Sequence, residues 1–70
     1  MERTIKMPGR GDVICAWDPE LNAYCEFVII GEHGPYFVCE STVTGRQILI
    51  LKGEIWRYTD MTPCRKGYGR

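Results

Sequence analysis

Four cysteines, one histidine and nine carboxylates are the groups in this chain that could do chemistry. The cysteines are Cys15, Cys25, Cys39 and Cys64, with nine, thirteen and twenty-four residues between successive members. Zinc sites bring ligands in close pairs, because one tight turn must aim two thiolates at one metal. No such pair occurs, and His33, the single histidine, is six positions from Cys39. No metal and no cofactor is expected. Disulfides would need an oxidising compartment. Cys15, Cys25 and Cys39 lie inside apolar runs, where a free cysteine behaves as a small hydrophobe, and buried free thiols are the expectation. Cys64 sits beside Arg65 and Lys66. Nearby cations favour a thiolate, so it is expected to be the most reactive of the four.

The remaining catalytic patterns are missing. There is no phosphate-binding loop, dinucleotide fingerprint or pair of metal-binding histidines. His33 falls in "GEHGP", a turn composition that suits a solvated side chain. The acids are scattered, and no two form an evident acid–base pair. The chain is expected not to be an enzyme.

What stands out instead is "CAWDPELNAYC", residues 15–25, where Trp17 and Tyr24 bracket an acidic connection containing Asp18 and Glu20. Two residues suffice to join two antiparallel strands, and this connection spends about six. Loops on a rigid scaffold carry recognition, and binding sites favour tryptophan and tyrosine at their centres. Trp17, Asp18, Glu20 and Tyr24, with Tyr36 from the next strand, are therefore the candidate partner-binding residues. The acids would favour a basic or methylated cationic group on the partner.

The elements that must position these residues read as five short strands. They are 12–17 "DVICAW", 24–30 "YCEFVII", 36–40 "YFVCE", 46–51 "RQILIL" and 54–58 "EIWRY", rich in β-branched and aromatic residues. "GEHGP" marks a hairpin, and Gly45 suits a turn requiring positive φ. "DPEL" fits either one helical turn capped by Asp18 or a type I β-turn. No apolar stripe of helical period extends for ten residues. Trp56 is expected in the core of the fifth strand, though with Arg57 and Tyr58 it could also form a stacking platform.

Seventy residues make one domain with a small core. Five antiparallel strands in so short a chain suggest a closed or nearly closed barrel, since closure removes exposed edges. The expected organisation is a flexible arm over 1–10, a barrel over 11–58 and a flexible basic tail over 59–70. No apolar run approaches the ~20 residues of a membrane span, and "MERTIKMPGRG" lacks the apolar core of a secretory signal. A cytoplasmic, monomeric protein is expected. Net charge is zero, but residues 11–58 hold seven acids against three bases, while both ends are basic. An acidic body is a poor phosphate binder, so Arg65, Lys66 and Arg70 in the tail are the candidate nucleic-acid contacts.

The order "GDV", a long loop, then "EFVIIG" leading into a tight hairpin resembles the SH3-like barrel superfamily. Within it, "ICAWDPELNAYCE" is similar to the opening of Tudor domains, and "YFVCESTVTGRQILI" to the two strands that follow there. That resemblance implies a cage for methylated lysine or arginine, with Trp17, Tyr24 and Tyr36 as its matching rings. "GDV", "VIIG", "GPYFVCES" and "GRQI" also resemble the plasmid-borne type II dihydrofolate reductases. Their Val-Gln-Ile-Tyr segment is Arg46-Gln47-Ile48-Leu49 here, so this second resemblance implies a shared fold without the chemistry. The expectation is an all-β, five-stranded SH3-like antiparallel barrel that binds a protein between its first loop and the 31–35 hairpin. Nucleic-acid or ribonucleoprotein binding through the basic tails is the alternative.

Overall fold

The computed structural model describes residues 7–64. The first six residues of the expected arm, and Arg65, Lys66 and Arg70 of the expected tail, lie outside the described residues. Four strands run in sequence: β1 (Val13–Asp18), β2 (Ala23–His33), β3 (Tyr36–Ser41) and β4 (Gln47–Leu51). Each pairs antiparallel with its neighbour in the order β1-β2-β3-β4, and the sheet curls into a half-barrel. β2 carries an irregularity between Ile29 and Gly31, where one extra residue enters the strand. A bulge of this kind bends its strand and increases the local twist. Here it falls mid-way along the longest strand.

Alternation decides what is inside. Ile14 and Ala16 of β1, Cys25, Phe27 and Ile29 of β2, Phe37 and Cys39 of β3 and Ile50 of β4 form the buried core. Cross-strand partners share a face, so Ala16 lies opposite Cys25, Ile14 opposite Phe27, and Phe37 opposite Ile50. The turns follow their residue types. Gly34, at φ 61°, and Pro35 join β2 to β3, while Gly45, at φ 81°, turns the chain towards β4. Ser41 secures that second turn: its Oγ accepts the amides of Val43 and Thr44 at 3.1 and 3.0 Å.

The fifth strand expected over 54–58 is a 3-10 helix spanning Lys52–Tyr58. It touches both β1 and β4 and so covers the open side of the half-barrel. Ile55 is fully buried in the core, and Tyr58 packs against it. A 3-10 helix stacks residues three apart on one face. The segment obeys that spacing, with Ile55 and Tyr58 inward and Glu54 and Arg57 exposed. Trp56, expected in the core, is 47% exposed. A strand would have put Ile55 and Arg57 on the same side. No helix among the described residues is long and apolar enough to cross a membrane.

Ile55 and Trp56 should therefore behave oppositely. Ile55→Ala is expected to cost about 2–5 kcal/mol, the usual penalty for truncating a buried aliphatic. Trp56→Ala should stay within about 0.5 kcal/mol, as surface changes do. Urea denaturation of the two variants measures both.

Candidate functional site

The first hairpin is built by Asp18 and its neighbours. Asp18 and Ala23 are the last cross-strand pair, leaving a four-residue connection over 19–22. The Leu21 amide donates to the Asp18 carbonyl at 3.1 Å, and the Glu20 amide donates to Asp18 Oδ1 at 2.9 Å. A β-turn with Pro19 at its second position results, and not a helical turn. Asn22 then takes φ 54°, a left-handed conformation that asparagine tolerates. The connection exceeds two residues because Leu21 folds back against the core cluster. Its extra length fills one end of the half-barrel.

Trp17 and Tyr24 face each other across the base of this hairpin. Their ring centroids are 5.1 Å apart with planes at 77°, an edge-to-face contact. Both point away from the core and remain 47% and 44% exposed. Glu20, one turn away on the loop, is also exposed.

The other two candidates fall elsewhere. Asp18 was expected to lend charge to the surface, but it is fully buried. Its side chain is in phase with Ile14 and Ala16, so it points inward at the end of β1. Arg46 reaches it from the β3–β4 connection, with Nη1 3.3 Å from Oδ1. The second carboxylate oxygen, Oδ2, has no hydrogen-bond partner among the described residues. Asp18 is thus an internal anchor, and Arg46, which sequence reasoning missed, is its counter-charge. Tyr36 was expected near Tyr24. It pairs instead with His33 at the far end of β2. Nine residue steps separate Tyr24 from His33, roughly 30 Å of strand. The first loop and the 31–35 hairpin occupy opposite ends of β2 and form no common surface.

The thiols depart from expectation at one position. All four cysteines are buried, and none is in a disulfide. Cys64, expected to be the reactive one, is only 8% exposed. Burial, and secondarily the influence of Cys64, push the Cys15 thiol from 9.0 up to about 12. Burial also raises Cys39. The segment leading to Cys64 is turned by two contacts: the Thr62 amide donates to Asp60 Oδ1 at 3.0 Å, and the Cys64 amide to the Met61 carbonyl at 3.0 Å. The first holds the exposed Asp60 carboxyl below its usual range. His33 is exposed, and no group of three metal-ligating side chains occurs among the described residues.

No protein family, no curated protein and no solved structure matches the chain.

Arg46→Met should leave the Asp18 carboxylate buried without its counter-charge. Because the Arg46 side chain is 38% exposed, the cost should fall below the full penalty for breaking a buried pair, at about 2 kcal/mol. The double variant Asp18→Asn with Arg46→Met should recover part of that loss, and a double-mutant cycle in urea measures the coupling. Alkaline pH gives a second check. The folded Cys15 thiol keeps its proton above pH 9 while the unfolded one loses it, so its contribution is complete below pH 9 and disappears as pH rises towards about 12. The decline should approach ~1.4 kcal/mol per pH unit from this group, and melting of Cys15→Ala over the same range should show a shallower slope.

Proposed function

We propose that this chain is a non-enzymatic protein-interaction module of SH3-like type, whose recognition surface is the Trp17–Tyr24 corner with Glu20 at its rim. The observation that supports this reading is the edge-to-face pair itself: two large rings held together outside the core, each nearly half exposed. Cross-strand aromatic pairs stabilise a hairpin by only about 0.2–1 kcal/mol, so leaving this much ring surface in water is better explained by a partner. Two near-perpendicular rings make adjacent walls for a cation, which is drawn to aromatic faces. The surrounding charge agrees. The described body is acidic, and two of its four Lys and Arg side chains, Arg46 and Lys52, are already paired with Asp18 and Glu32. A lysine or arginine side chain of a protein partner, with or without N-methylation, is the chemistry this corner fits. Tyr36 is too distant to complete a three-ring cage, so the corner is a two-walled clamp.

Titration with a lysine- and arginine-rich peptide and its N-methylated form, followed by NMR, tests this. The Trp17 indole and Tyr24 ring signals should shift while those of Trp56 stay in place. Trp17→Ala and Tyr24→Ala should each weaken binding at least about tenfold, the equivalent of a desolvated cation–π contact, while melting changes little. Glu20→Ala should have a smaller effect that raised salt removes. If the peptides leave both rings unperturbed, and an oligonucleotide binds with a steep salt dependence that neither substitution alters, nucleic-acid binding replaces this reading.

A further inference from the structure

A corner that clamps a cation, as proposed for Trp17 and Tyr24, needs negative charge nearby, and two carboxylates supply it. Glu20 is exposed on the connection. Glu26 follows Tyr24 by two residues on the outer face of β2, in the next outward row, opposite Cys15. Thr42 Oγ1 donates to Glu26 Oε1 at 3.3 Å, which holds that carboxylate at the surface. Neither Glu20 nor Glu26 makes an ion pair among the described residues, whereas Asp18 and Glu32 are both taken. The matching charge lies elsewhere in the same chain. Residues 65–70 read Arg-Lys-Gly-Tyr-Gly-Arg, three cations and no acid in six positions.

That segment starts from a fixed point. The 3-10 helix lies against β1, the strand that carries Trp17. The chain then turns through the Asp60–Thr62 and Met61–Cys64 contacts, and Cys64 is buried. Six residues beyond it span at most roughly 20 Å. That exceeds the 12.4 Å radius of gyration of the domain, so the segment is long enough to come round to the outer face of β1. A ligand tethered in this way is presented at on the order of millimolar. Even a contact with a dissociation constant of that size is then half formed.

We propose that residues 65–70 fill the corner of their own chain, with one cation of Arg65, Lys66 and Arg70 between the Trp17 and Tyr24 rings and with Glu20 and Glu26 facing the others. The inference rests on the reading of that corner as a cation clamp and adds its regulation. A partner's lysine or arginine then binds only by displacing the chain's own. The segment sets a threshold, so that a single stray cation in solution does not hold the site while a partner that also engages the surface around the rings does. Loss of charge within 65–70 opens the corner.

The test compares the whole chain with two triple variants, Arg65→Gln/Lys66→Gln/Arg70→Gln and Arg3→Gln/Lys6→Gln/Arg10→Gln. Both variants lose three positive charges, so the pair separates a contact at the corner from a general attraction for a basic peptide. Titration with the lysine- and arginine-rich peptide is followed on the Trp17 indole and Tyr24 ring signals. Removing the 65–70 cations should tighten peptide binding at least about threefold, because apparent affinity scales with the fraction of sites left open. The control variant should show less than half of that gain. Before any peptide is added, the 65–70 variant should already differ from the unaltered chain at both ring signals, and raised salt should bring the unaltered chain towards it. An equal gain in both variants overturns the proposal. So do ring signals identical in all three proteins, and ring shifts that change with protein concentration, which place the segment on a neighbouring chain. If the peptide reaches the rings with one affinity throughout, this inference falls and the corner stands. If it perturbs the rings in none of the three, both fall.

Discussion

Asp18 is a carboxylate with no exposed surface, placed where β1 leaves the sheet. Burying such a group is costly unless it is paired and hydrogen-bonded. The Glu20 amide and the Arg46 guanidinium supply its partners, both at Oδ1. One partner lies two residues away and the other twenty-eight. Those two contacts join the β1–β2 connection to the β3–β4 connection, at the same end of the half-barrel. A curled sheet without closure has no ladder of hydrogen bonds linking its first strand to its last. An ion pair between these two connections restrains the curl where the backbone does not. The arrangement also depends on Ser41, whose Oγ organises the turn from which Arg46 departs.

The other end of the same constraint is Ile55. Four strands enclose too little volume to shield Phe27 and Ile29 from every side, and the 3-10 helix supplies the missing wall. Leu21 contributes at the hairpin end. The core is therefore shared between a sheet and two irregular pieces of chain. In a domain of this size, where only a few kcal/mol separate folded from unfolded, none of these contributions is dispensable.

Most of the sheet could be read from the sequence. Runs such as "YCEFVII" and "YFVCE" pair β-branched and aromatic residues with turn signals at both ends, and β1 to β4 lie close to where those signals put them. The final segment was misread because "EIWRY" satisfies strand composition while its spacing, apolar at Ile55 and Tyr58, is that of a 3-10 helix. Asp18 was misread by residue type: an aspartate before proline looks like a surface turn, but continuing the inward phase from Ile14 and Ala16 leads straight to it. Tyr36 was misplaced by a topological slip, since the residue that opens a hairpin's second strand faces the end of the first one. Cys64 offered no local signal. Its basic neighbours argued for an exposed thiol, and only the folded chain shows it buried. Of the candidate surface, the meeting of Trp17 and Tyr24 followed directly from their symmetric placement about the turn.

The outermost strand has a consequence for how the molecule behaves at high concentration. β4 reads Gln-Ile-Leu-Ile-Leu, without a charge, and Leu49 and Leu51 face outward. No strand among the described residues pairs with its far edge. Such a strand is a template on which a further strand can add, and repeated addition is fibril growth. Lys52 follows at once, fastened to Glu32 at 2.7 Å, and the 3-10 helix then leads the chain away across the opening. The helix is therefore a terminator of lateral polymerisation as well as a wall of the core. A chain cut after Leu51 would lose both together, and its failure would be seeded, concentration-dependent deposition instead of simple unfolding.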